Sequence, residues 1–284
     1  MKPLFAIDLT TNKKNQQSNG KEFLVQTPSA AIAQSLAQSS KQVGDTIERS
    51  KLPLPLRIIE GVCGLLGFVF LFSLMRALTE TPFEQAYENA PWAFWLCGAL
   101  LVMFGILKFI SKQKSKSVLE TDESAHAMTN LESMCDAVFT ELSVPANARD
   151  TDILSFFYKI KDGNIKVSER GLQMAQFFNP VYKVYADAEN LYLADLSGKY
   201  AIPRASMIAI RTVKKRISIA GWNKVEQFNK GIYKQFKLTV NNYGNIFCKC
   251  YHILEFNCHG QVYGLYIPCY ELPVFEALTG LKAE

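Results

Sequence analysis

The stretch FCKCYHILEFNCHG, residues 247–260, places three cysteines and two histidines within fourteen positions. Thiolate and imidazole are the usual ligands of zinc, and thiols also carry redox chemistry, so this stretch is the first candidate for a chemical site. Its alternation reads as a β-strand entering a hairpin that turns through Asn257 to Gly260. Cys248, Cys250, His252, Leu254 and Phe256 then share one face, and Lys249, Tyr251, Ile253 and Glu255 the other. Pairing Phe256 with Gln261 sets Leu254 opposite Tyr263, His252 opposite Leu265, Cys250 opposite Ile267 and Cys248 opposite Cys269.

Geometry argues against a metal on such a strand. Alternate residues lie roughly 6.6 Å apart and an i, i+4 pair about 13 Å apart. Zinc ligands stand about 2.0–2.3 Å from the ion and therefore within about 4 Å of one another. Cys248, Cys250 and His252 cannot all reach one ion from a regular strand, and the C-x-x-C knuckle that would bend the chain is missing. The expectation is structural packing, with reduced Cys acting as a small apolar residue and a neutral His sharing its face through one hydrogen bond. The remaining metal option joins Cys248 and Cys269 across strands with Cys250 or His252; stoichiometric zinc in elemental analysis would favour it. No metal, cofactor or catalytic group is assigned. His126, His252 and His259 have no nucleophile context, and Asp150, Asp152, Asp187, Glu189 and Asp195 fall at turns or helix starts, so the chain is expected not to be an enzyme.

The elements around this stretch decide its surroundings. Residues 58–78 (IIEGVCGLLGFVFLFSLMRAL) and 92–110 (WAFWLCGALLVMFGILKFI) are apolar for about the length a bilayer requires, and predict two transmembrane helices. Glu60, Arg76 and Lys108 lie near the ends, where they can snorkel, and Trp92 and Trp95 supply an interfacial anchor. Gly61, Gly64 and Gly67 are not a nucleotide loop, because no strand precedes them. They form a smooth ridge for the second helix near Gly98 and Gly105. Lys51 and Arg57 precede the first span and Lys108, Lys112, Lys114 and Lys116 close the second. The connecting loop carries Glu80, Glu84 and Glu88 without a basic residue, so both termini are expected in the cytoplasm of a multi-pass cell-membrane protein. In that compartment a stable Cys248–Cys269 disulfide is disfavoured. The odd count of seven cysteines and an N-terminus lacking a long apolar run also predict a chain that is not secreted.

Residues 1–54, rich in Gln, Ser, Asn and Ala, read as a mobile tail. One helix fits inside it, capped by Ser29, with Ile32, Leu36, Val43 and Ile47 near helical spacing. The hairpin is expected over 55–112, a juxtamembrane helix over 113–144, and a β-rich domain over 145–284. In the juxtamembrane helix Met128, Leu131, Cys135, Val138 and Leu142 form one stripe, expected to pack on the protein's own domain, with self-association as the alternative. After Pro145 the period becomes alternating: SFFYKI, NIKV, VYKVYAD, NLYLAD, KYAIP, MIAIRTV, YKQFKLTV, IFCKCYHILEF and VYGLYIP read as a meandering antiparallel sheet. In YELPVFEALTG, Pro273 suits a first helical turn, Leu272, Phe275 and Leu278 share a face, and Gly280 ends the helix. The fold class expected is a membrane α-helical hairpin plus a cytoplasmic β-rich (α+β) domain, an antiparallel sheet or partly open barrel closed by a C-terminal helix. A fragment from about Ser143 to Glu284 is then expected to fold alone.

This order resembles the pleckstrin-homology-like domains of bacterial membrane proteins. The resemblance runs from about Val181 to Gly280 and rests on NLYLADLSGKYAIPRASMIAIRTV and GLYIPCYELPVFEALTG. It implies a PH-like fold, often paired with two transmembrane helices, in families mostly of unassigned activity, and so a binding or scaffolding domain at the inner membrane surface. A second resemblance, of architecture alone, is to the two-helix effectors of nucleotide-signalled antiphage systems, a ligand-gated alternative with a β-rich sensor. A subunit of a larger membrane enzyme is a third.

Lys plus Arg number 31 against 26 Asp plus Glu, a net charge of +5 that is too mild to imply nucleic acid. The dense basic run is RTVKKRIS, with Lys224, Lys230 and Lys234 following. Arg211, Lys214, Lys215 and Arg216 are the candidate binding residues for anionic lipid headgroups or another ligand, with Val213, Ile217 and Ile219 pointing back into the sheet. The bland reading is an edge strand whose Lys and Arg block aggregation. The bilayer, a protein partner and a second copy of the chain complete the candidate partners.

Overall fold

The computed structural model describes residues 3–11, 16, 20–154, 156–161, 164–167, 182–220, 235–240 and 245–284. The chain divides into two compact units. One comprises residues 31–135, and the other joins 1–30 to 136–284.

The helical unit begins with α1 (Ala30–Ser50), which starts directly after Ser29. Its buried positions, Ser39, Val43, Thr46 and Ser50, recur three and four apart. Ile47 remains exposed, so only Val43 of the expected apolar stripe is buried. Next come α2 (Leu54–Glu80), the short α3 (Phe83–Asn89) and α4 (Pro91–Leu119). Pro55 in the first turn of α2 and Pro91 at the start of α4 occupy positions where a missing N–H costs nothing.

α2 and α4 are both long and apolar enough to cross a membrane. They run side by side in opposite directions. Cys63 meets Met103 and Cys97 meets the Gly67 carbonyl, each at 3.6 Å, and Glu60 is ion-paired with Lys108 at 2.7 Å. The glycine ridge works differently from the expectation. A Cβ on Gly64 would lie 2.9 Å from the Phe104 ring and one on Gly67 2.9 Å from Leu101, whereas Gly61, Gly98 and Gly105 face open space. Large side chains of α4 fill the two inner notches, so the ridge does not meet a second ridge. The unit closes with the first part of α5 (Asp122–Glu141), where Glu123 pairs with Arg49 of α1 at 2.9 Å.

The β-rich unit contains the strands expected from the period change and several from outside the expected boundary. Residues 1–54 are not simply a tail before the hairpin: β1 (Pro3–Leu4), β2 (Ile7–Asp8) and β3 (Leu24–Gln26) each join a sheet of this unit. Phe5, Ala6, Ile7 and Phe23 are buried there. Low overall hydrophobicity hid a few well-placed apolar residues. Asp8 holds the first loop: its carboxylate accepts from Thr10 Oγ1 at 2.6 Å and Thr11 Oγ1 at 2.9 Å, and the Gln16 side chain bonds the Asp8 backbone.

The remaining strands are β4 (Arg149–Thr151), β5 (Phe156–Lys161), β6 (Asn164–Val167), β7 (Tyr182–Ala186), β8 (Asn190–Asp195), β9 (Gly198–Pro203), β10 (Met207–Val213), β11 (Ile217–Ala220), β12 (Thr239–Val240), β13 (Asn245–Cys248), β14 (Tyr251–Cys258) and β15 (Gln261–Pro268). They form antiparallel sheets ordered β3-β9-β8-β7-β4, β10-β14-β15-β2, β11-β13-β12 and β1-β5-β6. Asp187 and Asp195 cap the turns of the β7-β8-β9 meander by accepting backbone N–H groups of Glu189, Asn190, Ser197 and Gly198. A Cβ on Gly198 would come within 2.8 Å of the Gln26 carbonyl, so glycine there admits the N-terminal strand β3.

The last helix is α6 (Leu272–Thr279). Pro273 stands in its first turn and Gly280 ends it in the left-handed conformation at φ 77°, as expected. Phe275 is completely buried in a core shared by the five-stranded and four-stranded sheets, beside Leu191, Leu193, Ile210, Leu254 and Leu265. A second core lies on the other face of β14 and β15, around Tyr251, Ile253, Tyr266, Cys248 and Cys269. In α5 the stripe is buried only at its C-terminal end: Val138 and Leu142 are inaccessible, while Met128 is 50% exposed and Ala127 takes its place on the buried side.

Candidate functional site

Two antiparallel ribbons, β10 with β14 and β11 with β13, are consecutive stretches of the same two chain segments. Val213 pairs with Tyr251 and, further along, Ile217 pairs with Cys248. Three residues, Lys214, Lys215 and Arg216, therefore oppose two, Lys249 and Cys250, and this mismatch is a β-bulge. Lys215 N–H closes onto the Val213 carbonyl at 2.8 Å, tightening the bend. The bulge brings the basic run and the cysteines of the opening stretch into one place.

The expected continuous alternation fails here. Tyr251 and Ile253 lie in the same core as Ile246 and Cys248, while Leu254 and Phe256 lie in the other. The strand is interrupted at Lys249 and Cys250, so the facing pattern changes phase and Cys248 does not share a face with His252. The hairpin register also differs. His259 (φ 49°) and Gly260 (φ 79°) form a two-residue turn between Cys258 and Gln261, the left-handed pair typical of a type I′ hairpin. Phe256 consequently pairs with Tyr263, Leu254 with Leu265 and His252 with Ile267, two residues from the expected register. A two-residue slip preserves faces but changes every neighbour.

The last pair of this ladder is Tyr251 with Pro268, so Cys250 and Cys269 come next. Cys248 and Cys269 are buried in one core, and Cys250 packs against it. Cys248 is fully buried, Cys269 is 4% exposed and Cys250 is half-buried. Hydrogen bonding to Cys269 and then burial push the Cys248 thiol far up, and burial pushes Cys250 up. Cys269 moves the other way. The donated hydrogen bond of Cys248 leads, and with Cys250 and the backbone N–H groups of Cys269 and Tyr270 it outweighs the opposing effect of burial. Among the described residues no group of three or more His, Cys, Asp and Glu is arranged to hold a metal ion.

His252 is separate from the thiols. It is buried, with Nδ1 3.2 Å from Thr212 Oγ1, and burial lowers its pKa while Glu276 pulls it partly back. The carboxylates are structurally employed: Asp150 pairs with Lys183 at 2.6 Å and Asp152 accepts from the Tyr270 hydroxyl at 2.8 Å.

Of the four basic candidates, Lys214, Lys215 and Arg216 are exposed together on the bulge, and Lys249, which the sequence reading omitted, stands opposite them. Arg216 lies over the Phe247 ring, 4.8 Å from its centroid. Arg211 is different, because it is ion-paired with Glu255 on the neighbouring strand. Ile217 and Ile219 are buried, as alternation requires. The outer edge of β10 is covered: residue 283 bridges Ile210 in parallel, and Glu284 exchanges hydrogen bonds with Ile210 and Thr212 at 2.9 Å. That correction weakens the edge-protection reading for β10. Lys224, Lys230 and Lys234 lie outside the described residues.

An open groove of about 630 Å³ is lined by Phe23, Val25, Tyr192, Lys199 and His259 among others. Comparisons with known protein families, curated proteins and solved structures give no match to this chain.

Proposed function

We propose that the protein is an integral membrane protein whose β-rich, PH-like unit is a binding or scaffolding module at the inner membrane surface, contacting anionic headgroups through Lys214, Lys215, Arg216 and Lys249. The observation that carries the membrane assignment is the surface of α2 and α4. Only 17% of each apolar window is buried, and Val62, Leu65, Phe72, Trp95, Val102 and Phe109 all point outward. A core helix in water would cover such residues, whereas a bilayer solvates them at no cost. Two antiparallel sheets sharing a core with a C-terminal helix support the PH-like reading, and the basic flanks of the spans support cytoplasmic termini.

The lipid contact rests on charge that the fold leaves uncommitted. Among the described residues no carboxylate pairs with Lys214, Lys215 or Lys249, and each basic side chain close to an anionic leaflet contributes about 1 kcal/mol. Arg211 is excluded from the contact set because Glu255 already neutralises it.

The test places the full chain in bilayer nanodiscs of anionic or zwitterionic lipid and follows amine-reactive labelling of Lys214, Lys215 and Lys249. Protection in anionic discs only, lost near 1 M salt where the Debye length is about 3 Å, is the expected result. Labelling that is the same in both lipids overturns the headgroup contact. A reporter fused after Glu284 that is active outside the cytoplasm overturns the orientation.

A further inference from the structure

We propose that the helical unit carries a binding site for one anionic phospholipid where α1 gives way to α2, with the lipid phosphate held by Lys51, Arg57 and Lys114. The site rests on the membrane reading of α2 and α4 and not on the headgroup contact of the β-rich unit. All of its residues belong to the helical unit.

Three cations gather there near one carboxylate. Lys51 Nζ and Arg57 Nη2 each lie 2.8 Å from an oxygen of Glu48, and Lys114 Nζ of α4 donates to the Lys51 carbonyl at 2.7 Å. Glu48 offsets one of the three charges, so the cluster stays positive. The first turn of α2 adds to it, because the helix follows Pro53 without a side-chain cap and presents the positive end of its dipole. Arg57 also retains an unused donor. Its Nε is buried and, among the described residues, has no hydrogen-bond partner. Nε and Nη2 form one edge of the guanidinium fork, which two oxygens of a phosphate fill side by side. The Arg57 side chain is 36% exposed, so this edge can turn toward the surface.

The surroundings of the cations favour a lipid over a free anion. Inward along α2 from Arg57 come Ile58 and Val62, and one turn inward of Lys114 on α4 comes Ile110; all three are exposed. A phosphate at the cations lays its acyl chains over these side chains, where a free phosphate leaves them uncovered. The nearby carboxylate of Glu60 does not repel the headgroup as a free charge, because Lys108 already pairs with it at 2.7 Å.

The experiment is native mass spectrometry of the full chain, extracted from membranes into detergent, with phosphatidylglycerol, phosphatidylcholine or inorganic phosphate added. The expected result is one phosphatidylglycerol retained in preference to phosphatidylcholine and not displaced by inorganic phosphate. Arg57→Gln and Lys51→Gln should each weaken that retention about fivefold. Lys112→Gln removes the same charge from a different face of α4 and should leave retention unchanged, as should Lys214→Gln with Lys215→Gln on the bulge. Equal retention of the two lipids by the wild-type chain, displacement by inorganic phosphate, or an equal loss in Lys112→Gln overturns the proposal. A chain recovered from the aqueous fraction overturns it through the membrane reading, whereas a membrane-extracted chain that retains no phosphatidylglycerol overturns this site only. The wild-type comparison decides even where a variant fails to fold.

Discussion

The helical unit and the β-rich unit use apolar residues in opposite ways. In α2 and α4 small residues of one helix receive large ones of the other, Gly64 taking Phe104 and Gly67 taking Leu101, while Phe72, Trp95 and Phe109 face outward. In the β-rich unit the large side chains Phe256, Phe275, Tyr270 and Leu193 are completely or almost completely buried, and Lys214, Lys215, Arg216 and Lys249 are among the exposed residues. On the proposed membrane reading, the same Leu, Phe and Val residues meet two solvents. Where water drives burial, size belongs inside; where the surroundings are themselves apolar, close packing of small residues is what remains to hold helices together.

The largest effect expected from this contrast comes from deleting residues 2–26. The β-rich unit would lose Phe5, Ile7 and Phe23, each worth about 2–5 kcal/mol as a buried side chain, together comparable to the whole stability of a domain at about 5–15 kcal/mol. The β-rich signal should lose its cooperative thermal transition while the helical signal persists; a transition unchanged by the deletion would make the N-terminal strands peripheral. The expectation that residues 143–284 fold alone is revised for the same reason.

A smaller effect separates exposure to lipid from exposure to water. Leu65 on α2 and Ile160 on β5 are 68% and 72% exposed. Leu65→Arg should reduce the membrane-extracted fraction by the equivalent of about 2.5–3.5 kcal/mol, the cost of Arg near a bilayer centre. Ile160→Arg should change stability by no more than about 0.5 kcal/mol. If both substitutions behave alike, the two exteriors face the same solvent.

The smallest effect is confined to the β-rich unit. Burial holds His252 below its ordinary pKa of 6.5, so as pH falls through that value the unfolded chain binds a proton that the folded chain refuses. Stability should decline as pH drops below 6.5 and level off once the folded ring is also protonated. Urea midpoints measured across this window should show the decline, and His252→Gln should flatten it; a slope unchanged in the variant assigns it to another group.

Hydrophobic period alone located both long apolar helices, most of the strands from β5 to β15 and α6 with its Pro273 start and Gly280 end, because these signals are local and repeat within a few residues. The basic run was legible as charge. The N-terminal strands were not: β1, β2 and β3 are two or three residues long, too short for any period, and form only against partners more than a hundred positions away.

The cysteine cluster marks the same boundary. The residue types in FCKCYHILEFNCHG raised the question of shared chemistry, and the His259-Gly260 pair contained the turn that would have given the right register. Which cysteines share a core was decided by the bulge between Val213 and Ile217, which sets Cys248, Cys250 and Cys269 around one core and sends His252 to another neighbourhood. Sequence determines what each residue can do and which local element it favours. A one-residue mismatch between two strands is a property of the pair, and only the folded sheet fixes it.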